Sequence, residues 1–168
     1  MKYVGAIDQG TTSTRFILFD QNGRPVETGQ VPVRQIRPKP GWLEHDPMDI
    51  LNSVVEAIDS VMGKGYDPRD VVSVGITNQR ETSVLWDSLT GEPLCNALVW
   101  SDLRTDGIVS RLKEEFGVDY FRESTGLPIS TYFSAVKVKW MLENVKGVYQ
   151  AIEEERFDRN SLFLDLLT

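Results

Sequence analysis

A chain of 168 residues with 40% hydrophobic and 26% charged side chains has the composition of a folded globular protein, which excludes wholesale disorder and fibrous architectures. Its net charge of −7, from 25 acidic against 18 basic residues, lacks the cationic field that nucleic acid or an anionic membrane surface requires, so any bound phosphate must be gripped locally. A single cysteine, Cys95, leaves no internal disulfide or multi-cysteine metal site and reads as a small, partly buried apolar residue.

At the N-terminus, Asp8 interrupts the apolar run before it reaches signal-peptide length, and no later stretch approaches a membrane span, so a cytoplasmic protein is expected. Residues 2–7 are β-branched and aromatic enough for a strand; Asp8-Gln9-Gly10-Thr11-Thr12 breaks it with turn chemistry, and residues 15–19 resume as a second strand. Asn22-Gly23 supplies a further turn, and residues 26–33 alternate as a third strand. After a proline- and glycine-rich loop at 37–42, Asp46-Pro47 is an N-cap followed by proline at the first helical position. The helix predicted over 47–62 places Ile50, Val54, Val55, Ile58, Val61 and Met62 on one buried face. Residues 71–77 have the apolar run of a buried strand, 83–86 and 97–100 suggest two more, and helices are predicted over 105–116, 134–144 and 145–155. Three antiparallel strands, then a helix crossing back to a fourth, predict a mixed α/β sheet with flanking helices.

The strongest chemical signal is Asp8-Gln9-Gly10-Thr11-Thr12-Ser13-Thr14-Arg15 between two strands. Gly10 lets the backbone approach a ligand closely, while Thr11, Thr12 and Ser13 offer hydroxyl and amide donors to phosphate oxygens. No Gly-Lys-Ser/Thr is present and the turn opens a strand, so this is not a Walker A loop. Asp8 could hold Mg2+ through water and neutralise a transferring phosphoryl group; a polar turn with a capping aspartate is the plainer alternative.

Asp-Gln-Gly-Thr-Thr-Ser-Thr-Arg at 8–15, Pro-Gly-Trp-Leu-Glu-His-Asp-Pro at 40–47, Gly-Ile-Thr-Asn-Gln-Arg-Glu-Thr at 75–82, Val-Trp at 99–100 and Ser-Thr-Tyr-Phe-Ser-Ala-Val-Lys at 130–137 together resemble the glycerol kinases of the FGGY family. The likeness covers residues 3–156, and within the superfamily it is the Asn-Gln-Arg-Glu-Thr segment that points to glycerol. It implies an actin-like, ribonuclease H-like ATPase fold using ATP and Mg2+. Asp8, Gly10, Thr11, Thr12, Ser13 and Arg15 would then face the nucleotide phosphates. Arg80, Glu81, Trp100 and Tyr132 would form the glycerol pocket, with Thr11 near the product phosphate. Those residue types suit a triol: a guanidinium donates to one hydroxyl, a carboxylate accepts from another, an indole covers the carbon backbone and a phenol adds a polar contact. As adjacent charges alone, Arg80 and Glu81 would read as an ordinary surface pair.

His45, beside Asp46-Pro47, reads as part of a helix-start loop, not a catalytic group, and Glu153-Glu154-Glu155 as a solvated helix face. The family's catalytic base is an aspartate of a later segment, expected beyond Thr168. The domain reading is therefore an FGGY N-terminal domain over 1–156 that stops short, exposing some apolar surface, and a divergent tail over 157–168. Three readings of function follow: ATP-dependent phosphorylation of glycerol, with this chain alone inactive; a non-catalytic form that binds or regulates; or a kinase of another polyol or sugar. Charge and hydropathy predict no nucleic-acid partner and no membrane insertion; the resemblance implies homo-oligomers among full-length members and mitochondrial-surface association should the source be an animal.

Overall fold

The computed structural model describes residues 1–153 and 162–163, which fall into two compact units. The first comprises residues 1–35 and 45–79; the second comprises residues 36–44 and the described residues from 80 onward.

In the first unit, β1 (Tyr3–Gln9), β2 (Ser13–Phe19), β3 (Pro25–Pro32) and β5 (Val71–Thr77) form a sheet of order β3-β2-β1-β5. The first three are antiparallel neighbours and β5 runs parallel to β1, the mixed arrangement that the sequence predicts. Helix α1 (Pro47–Met62) begins where expected: the Asp46 carboxylate accepts from Met48 N, and Pro47 occupies the first turn, where a missing N–H costs nothing. It packs Ala57 and Val61 against Ile7, Phe16 and Leu18, with Val54, Ile58 and Met62 at the margin. Gly29 of β3 lets the helix come this close, because a Cβ there would stand 2.3 Å from the Ala57 carbonyl oxygen.

Three expectations for this unit need correction. Asp8 and Gln9 belong to β1, since their pairing with Arg15 and Thr14 extends the ladder and leaves only 10–12 as the turn. Val55 is 50% exposed, because the helix face on the sheet is centred on Ser53, Ala57 and Val61. β5 is not buried: Val72, Val74 and Ile76 are 61%, 49% and 59% exposed. A β-branched run shows strand preference but not what covers it, and α1 lies over the β2–β3 side of the sheet.

The second unit holds short strands and most of the remaining helices. β4 (Glu44–His45) lies where the chain passes between the units. The strands expected over 83–86 and 97–100 shrink to β6 (Val84–Leu85) and β7 (Ala97–Leu98), and Ser83 and Leu98 exchange backbone hydrogen bonds of 2.9 and 3.0 Å. Helices α2 (Asp106–Phe116), α4 (Ser134–Asn144) and α5 (Lys146–Glu153) match the predicted segments within the described residues. α3 (Arg122–Thr125) is too short for a periodic signal. Beyond α5, the described residues include β8 (Leu162–Phe163), antiparallel to β6. The expected tail over 157–168, apart from those two residues, and Glu154-Glu155 lie outside the described residues; Glu153 is exposed.

α4 joins two apolar clusters. Met141 packs with Leu85, Leu98 and Val148, and Val136 packs with Ile108, Val109 and Ile129, with Trp140 against both. Cys95 lines the first cluster as expected, and burial pushes its thiol up to about 11, too high for a reactive thiolate.

Candidate functional site

The candidate phosphate hairpin is fixed by its own backbone. Gly10 N donates to the Ser13 carbonyl (3.0 Å), Val33 N to the Thr12 carbonyl (3.0 Å) and Gln35 Nε2 to the Thr11 carbonyl (2.8 Å). Carbonyl oxygens, which would repel phosphate, are thus tied back along the turn. A side chain at Gly10 would bring a Cβ 3.0 Å from the Ser13 carbonyl, so this tight turn favours glycine. Thr12 is exposed; Ser13 Oγ accepts from Gln30 Nε2 at 2.9 Å, which leaves the hydroxyl proton to donate elsewhere. Asp8 and Arg15, opposite each other in the ladder, form a half-exposed ion pair of 3.2 Å. Thr14 faces inward and bonds Ser53 of α1 at 2.7 Å, anchoring the hairpin to the helix.

In the second unit, Glu81, Trp100 and Tyr132 share one neighbourhood. Thr82 Oγ1 accepts from Trp100 N at 3.2 Å, and the Ser83–Leu98 bridge holds the two segments side by side. The Trp100 and Tyr132 rings lie 5.7 Å apart at 59°, each more than a third exposed. Glu81 is the only non-glycine with positive φ among the described residues, at 57°, and its Oε2 is buried without a hydrogen-bond partner there. A carboxylate oxygen held dry and unpaired in a sparsely populated backbone conformation is costly, and such strain persists where a ligand completes the site. Arg80 is exposed beside it.

Two polar groups around these aromatics escaped sequence reasoning. Lys137 of α4 is fully buried and donates to the carbonyls of Thr131 (2.9 Å) and Tyr132 (2.5 Å). The signal for it was present: Lys137 falls on the apolar stripe of Val136, Trp140 and Met141. Asp102 is fully buried, and Arg104 grips it through Nε and Nη2 (both 2.9 Å) while reaching Glu44 at 2.8 Å. The Arg104 guanidinium also stacks on Trp42, 3.9 Å from the ring centroid, which no sequence pattern announces.

His45, read from the sequence as part of a helix-start loop, belongs instead to β4 and is buried, because the strand ends only where Asp46 caps α1. Its Nδ1 lies 3.3 Å from Gln79 Nε2, which also donates to Gln9 Oε1 at 3.1 Å, and its Nε2 has no partner among the described residues. Burial lowers its pKa from 6.5 to about 4, so it is neutral at pH 7. Between those values the unfolded chain binds a proton that the folded chain refuses. Stability is therefore complete above about pH 6.5 and falls toward pH 4, by about 3 kcal/mol in all. Urea unfolding at pH 7 and pH 5 should show His45→Gln losing less stability between the two than the parent chain; equal losses would contradict this.

Among the described residues no helix is long and apolar enough to cross a membrane, and no group of three or more His, Cys, Asp or Glu side chains is placed to hold a metal. The sequence pattern of the N-terminal domain of the FGGY family of carbohydrate kinases matches residues 3–167. Among curated proteins, the glycerol kinase of Acidiphilium cryptum is 55% identical over 147 residues, covering 87% of this chain and 30% of that one. That of Rhizorhabdus wittichii is 53% identical over 156 residues, covering 92% and 31%. Among solved structures, Plasmodium falciparum glycerol kinase with ADP superposes with a TM-score of 0.84 at 34% identity, covering 93% of this chain and 31% of that one. A ligand-bound xylulose kinase from Lactobacillus acidophilus gives 0.80 at 26% identity, covering 89% and 30%. The chain thus spans about 30% of the length of the curated relatives it matches.

Proposed function

The chain belongs to the FGGY family of carbohydrate kinases, and we propose that it carries the polyol site and the phosphate grip of a glycerol kinase, which transfers the γ-phosphoryl group of ATP to glycerol to give glycerol 3-phosphate. The observation that carries this reading is Glu81: its carboxylate oxygen is buried and unpartnered among the described residues, one position before the Thr82 that holds Trp100 N, and is an acceptor suited to a ligand hydroxyl. Arg80 donates to a second hydroxyl, Trp100 covers the carbon backbone and Tyr132 adds a polar contact. The 50–55% identical relatives named glycerol kinase support the substrate. Similarity to a xylulose kinase shows that the fold alone would not choose it.

Gly10, Thr11, Thr12, Ser13 and Arg15 would hold the nucleotide phosphates, with Thr11 near the phosphate of the product. Asp8, a partly exposed carboxylate paired with Arg15, is the residue that would hold Mg2+, through water. Bound there, Mg2+ would neutralise charge on the transferring phosphoryl group. The base that takes the glycerol proton is, in this reading, an aspartate contributed by a later segment, and the compartment is the cytoplasm.

Because the relatives are about three times as long, the direct readout is binding by this chain. Calorimetric titration is expected to show glycerol bound in preference to xylulose or gluconate. Glu81→Gln should weaken glycerol by about 10- to 100-fold, the worth of a hydrogen bond to a charged group. No glycerol binding by the parent chain, or equal binding of the sugars, would overturn the proposal.

A further inference from the structure

Lys137 is the only fully buried lysine among the described residues. Lysines are almost never buried without partners, because an ammonium loses its hydration on leaving water. Here the partners are unusual. Two of its three N–H donors go to the carbonyls of Thr131 and Tyr132, in the turn that enters α4. Phe133, at the N-cap of that helix, makes no side-chain capping bond. The lysine therefore reaches back from the first turn of the helix to hold the segment that a cap would otherwise fix.

Electrostatics point the same way. Burial lowers the Lys137 pKa to about 8, opposed by the negative charges of Asp102 and Glu81, so the ammonium stands within electrostatic reach of both. The Asp102 carboxylate is already held by Arg104 and by Leu43 N. Glu81 Oε2 is the acceptor left without a partner among the described residues.

We propose that Lys137 is a positioning residue of the polyol site: its ammonium clamps the 131–132 backbone, which sets the Tyr132 ring beside Trp100, and supplies the positive charge that keeps the dry Glu81 carboxylate ready to accept a ligand hydroxyl. This rests on the reading of the Glu81, Trp100 and Tyr132 cluster as a polyol site. Lys137 has two separable duties, donor and charge. Methionine keeps the length and loses both; glutamine keeps a donor and loses the charge; arginine keeps both.

The test is hydrogen exchange of the whole chain, read by mass spectrometry with and without glycerol, for the parent and for Lys137→Met, Lys137→Gln and Lys137→Arg. In Lys137→Met, amides at 131–134 should exchange about tenfold faster while β1 and β2 are unchanged, and glycerol affinity should fall at least about tenfold, as for a lost charge-assisted bond. Lys137→Gln should keep much of the loop protection and still lose glycerol. Lys137→Arg should bind glycerol within a few-fold of the parent; this variant also decides the matter if the methionine protein does not fold. A methionine variant with parental loop exchange and parental glycerol affinity would overturn the proposal, because a role in packing alone predicts that result. If the parent chain shows no protection by glycerol, the function proposed above fails, and the glycerol-free exchange at 131–134 still decides the clamp.

Discussion

Arg104→Met is expected to destabilise the unit that carries Trp100 and Tyr132 by about 3–5 kcal/mol, the cost of removing one partner from a buried ion pair. Asp102 has no exposed surface, and Arg104 supplies it with two side-chain hydrogen bonds; the same guanidinium bonds Glu44. Methionine fills a similar volume but leaves the Asp102 carboxylate, among the described residues, hydrogen-bonded by the backbone amides of Leu43 (2.6 Å) and Arg104 (2.8 Å) alone, while Glu44 keeps Asn96. It also strips the cation from between Trp42 and Trp140, where it lies 3.9 and 4.8 Å from the ring centroids. Lysine cannot replace it, since a point charge neither forks between two carboxylates nor stacks as a plane. Denaturant unfolding followed by tryptophan fluorescence measures the loss. The diagnostic variant is the double substitution with Asp102→Asn: removing both charges should cost clearly less than the two single losses added together. Strict additivity would mean that the pair is not coupled and that the explanation is wrong.

The segment 99–104 explains why part of this site could be read from sequence and part could not. Trp100 and Tyr132 lie in motifs whose residue types suit a polyol, and the structure brings their rings together and ties Trp100 N to Thr82, the residue after Glu81. What supports them is written in no local pattern. Arg104, Asp102 and Glu44 meet only because a loop at 41–44 packs against the turn after β7, joined by Leu103 N to the Gly41 carbonyl and Val99 N to the Leu43 carbonyl. Pairings across such distances in sequence have no periodicity to betray them. Elements with strong local chemistry were legible to the residue: α1 over Pro47–Met62 after its Asp46 cap, α4 and β5. The burial of β5 was not, because covering a strand is a property of its neighbours. Glu81 shows the same limit in the site itself. Its charge and its place beside Arg80 were visible, but its left-handed backbone and dry Oε2, which make it a better candidate than a surface pair, needed the fold.

Gly29→Ala is expected to cost about 3 kcal/mol or more, at or above the upper end for overpacking, because the atoms in the way cannot all rotate aside. A Cβ there would lie 2.1 Å from Ser60 Oγ, 2.3 Å from the Ala57 carbonyl oxygen and 3.1 Å from Val61 Cγ2. The serine side chain can move; the helix carbonyl moves only if α1 is pushed off the sheet. That displacement would also pull on the 2.7 Å bond between Ser53 of α1 and Thr14 of β2, and Thr14 lies within the candidate phosphate grip, between Ser13 and Arg15. The substitution should therefore act twice, lowering the unfolding midpoint by about 10 °C and loosening the 10–13 turn in hydrogen exchange. Gly75→Ala supplies the control: it is another strand glycine, its φ lies outside the left-handed region and no atom lies within 4 Å of its added Cβ. There the change should fall within about 0.5 kcal/mol or be slightly stabilising, since alanine restricts only the unfolded chain. If both variants unfold together near the parent, the close approach of α1 to β3 does not hold the hairpin. If Gly29→Ala alone falls and the 10–13 amides exchange faster with it, the helix contact at Gly29 is what keeps the phosphate turn in shape.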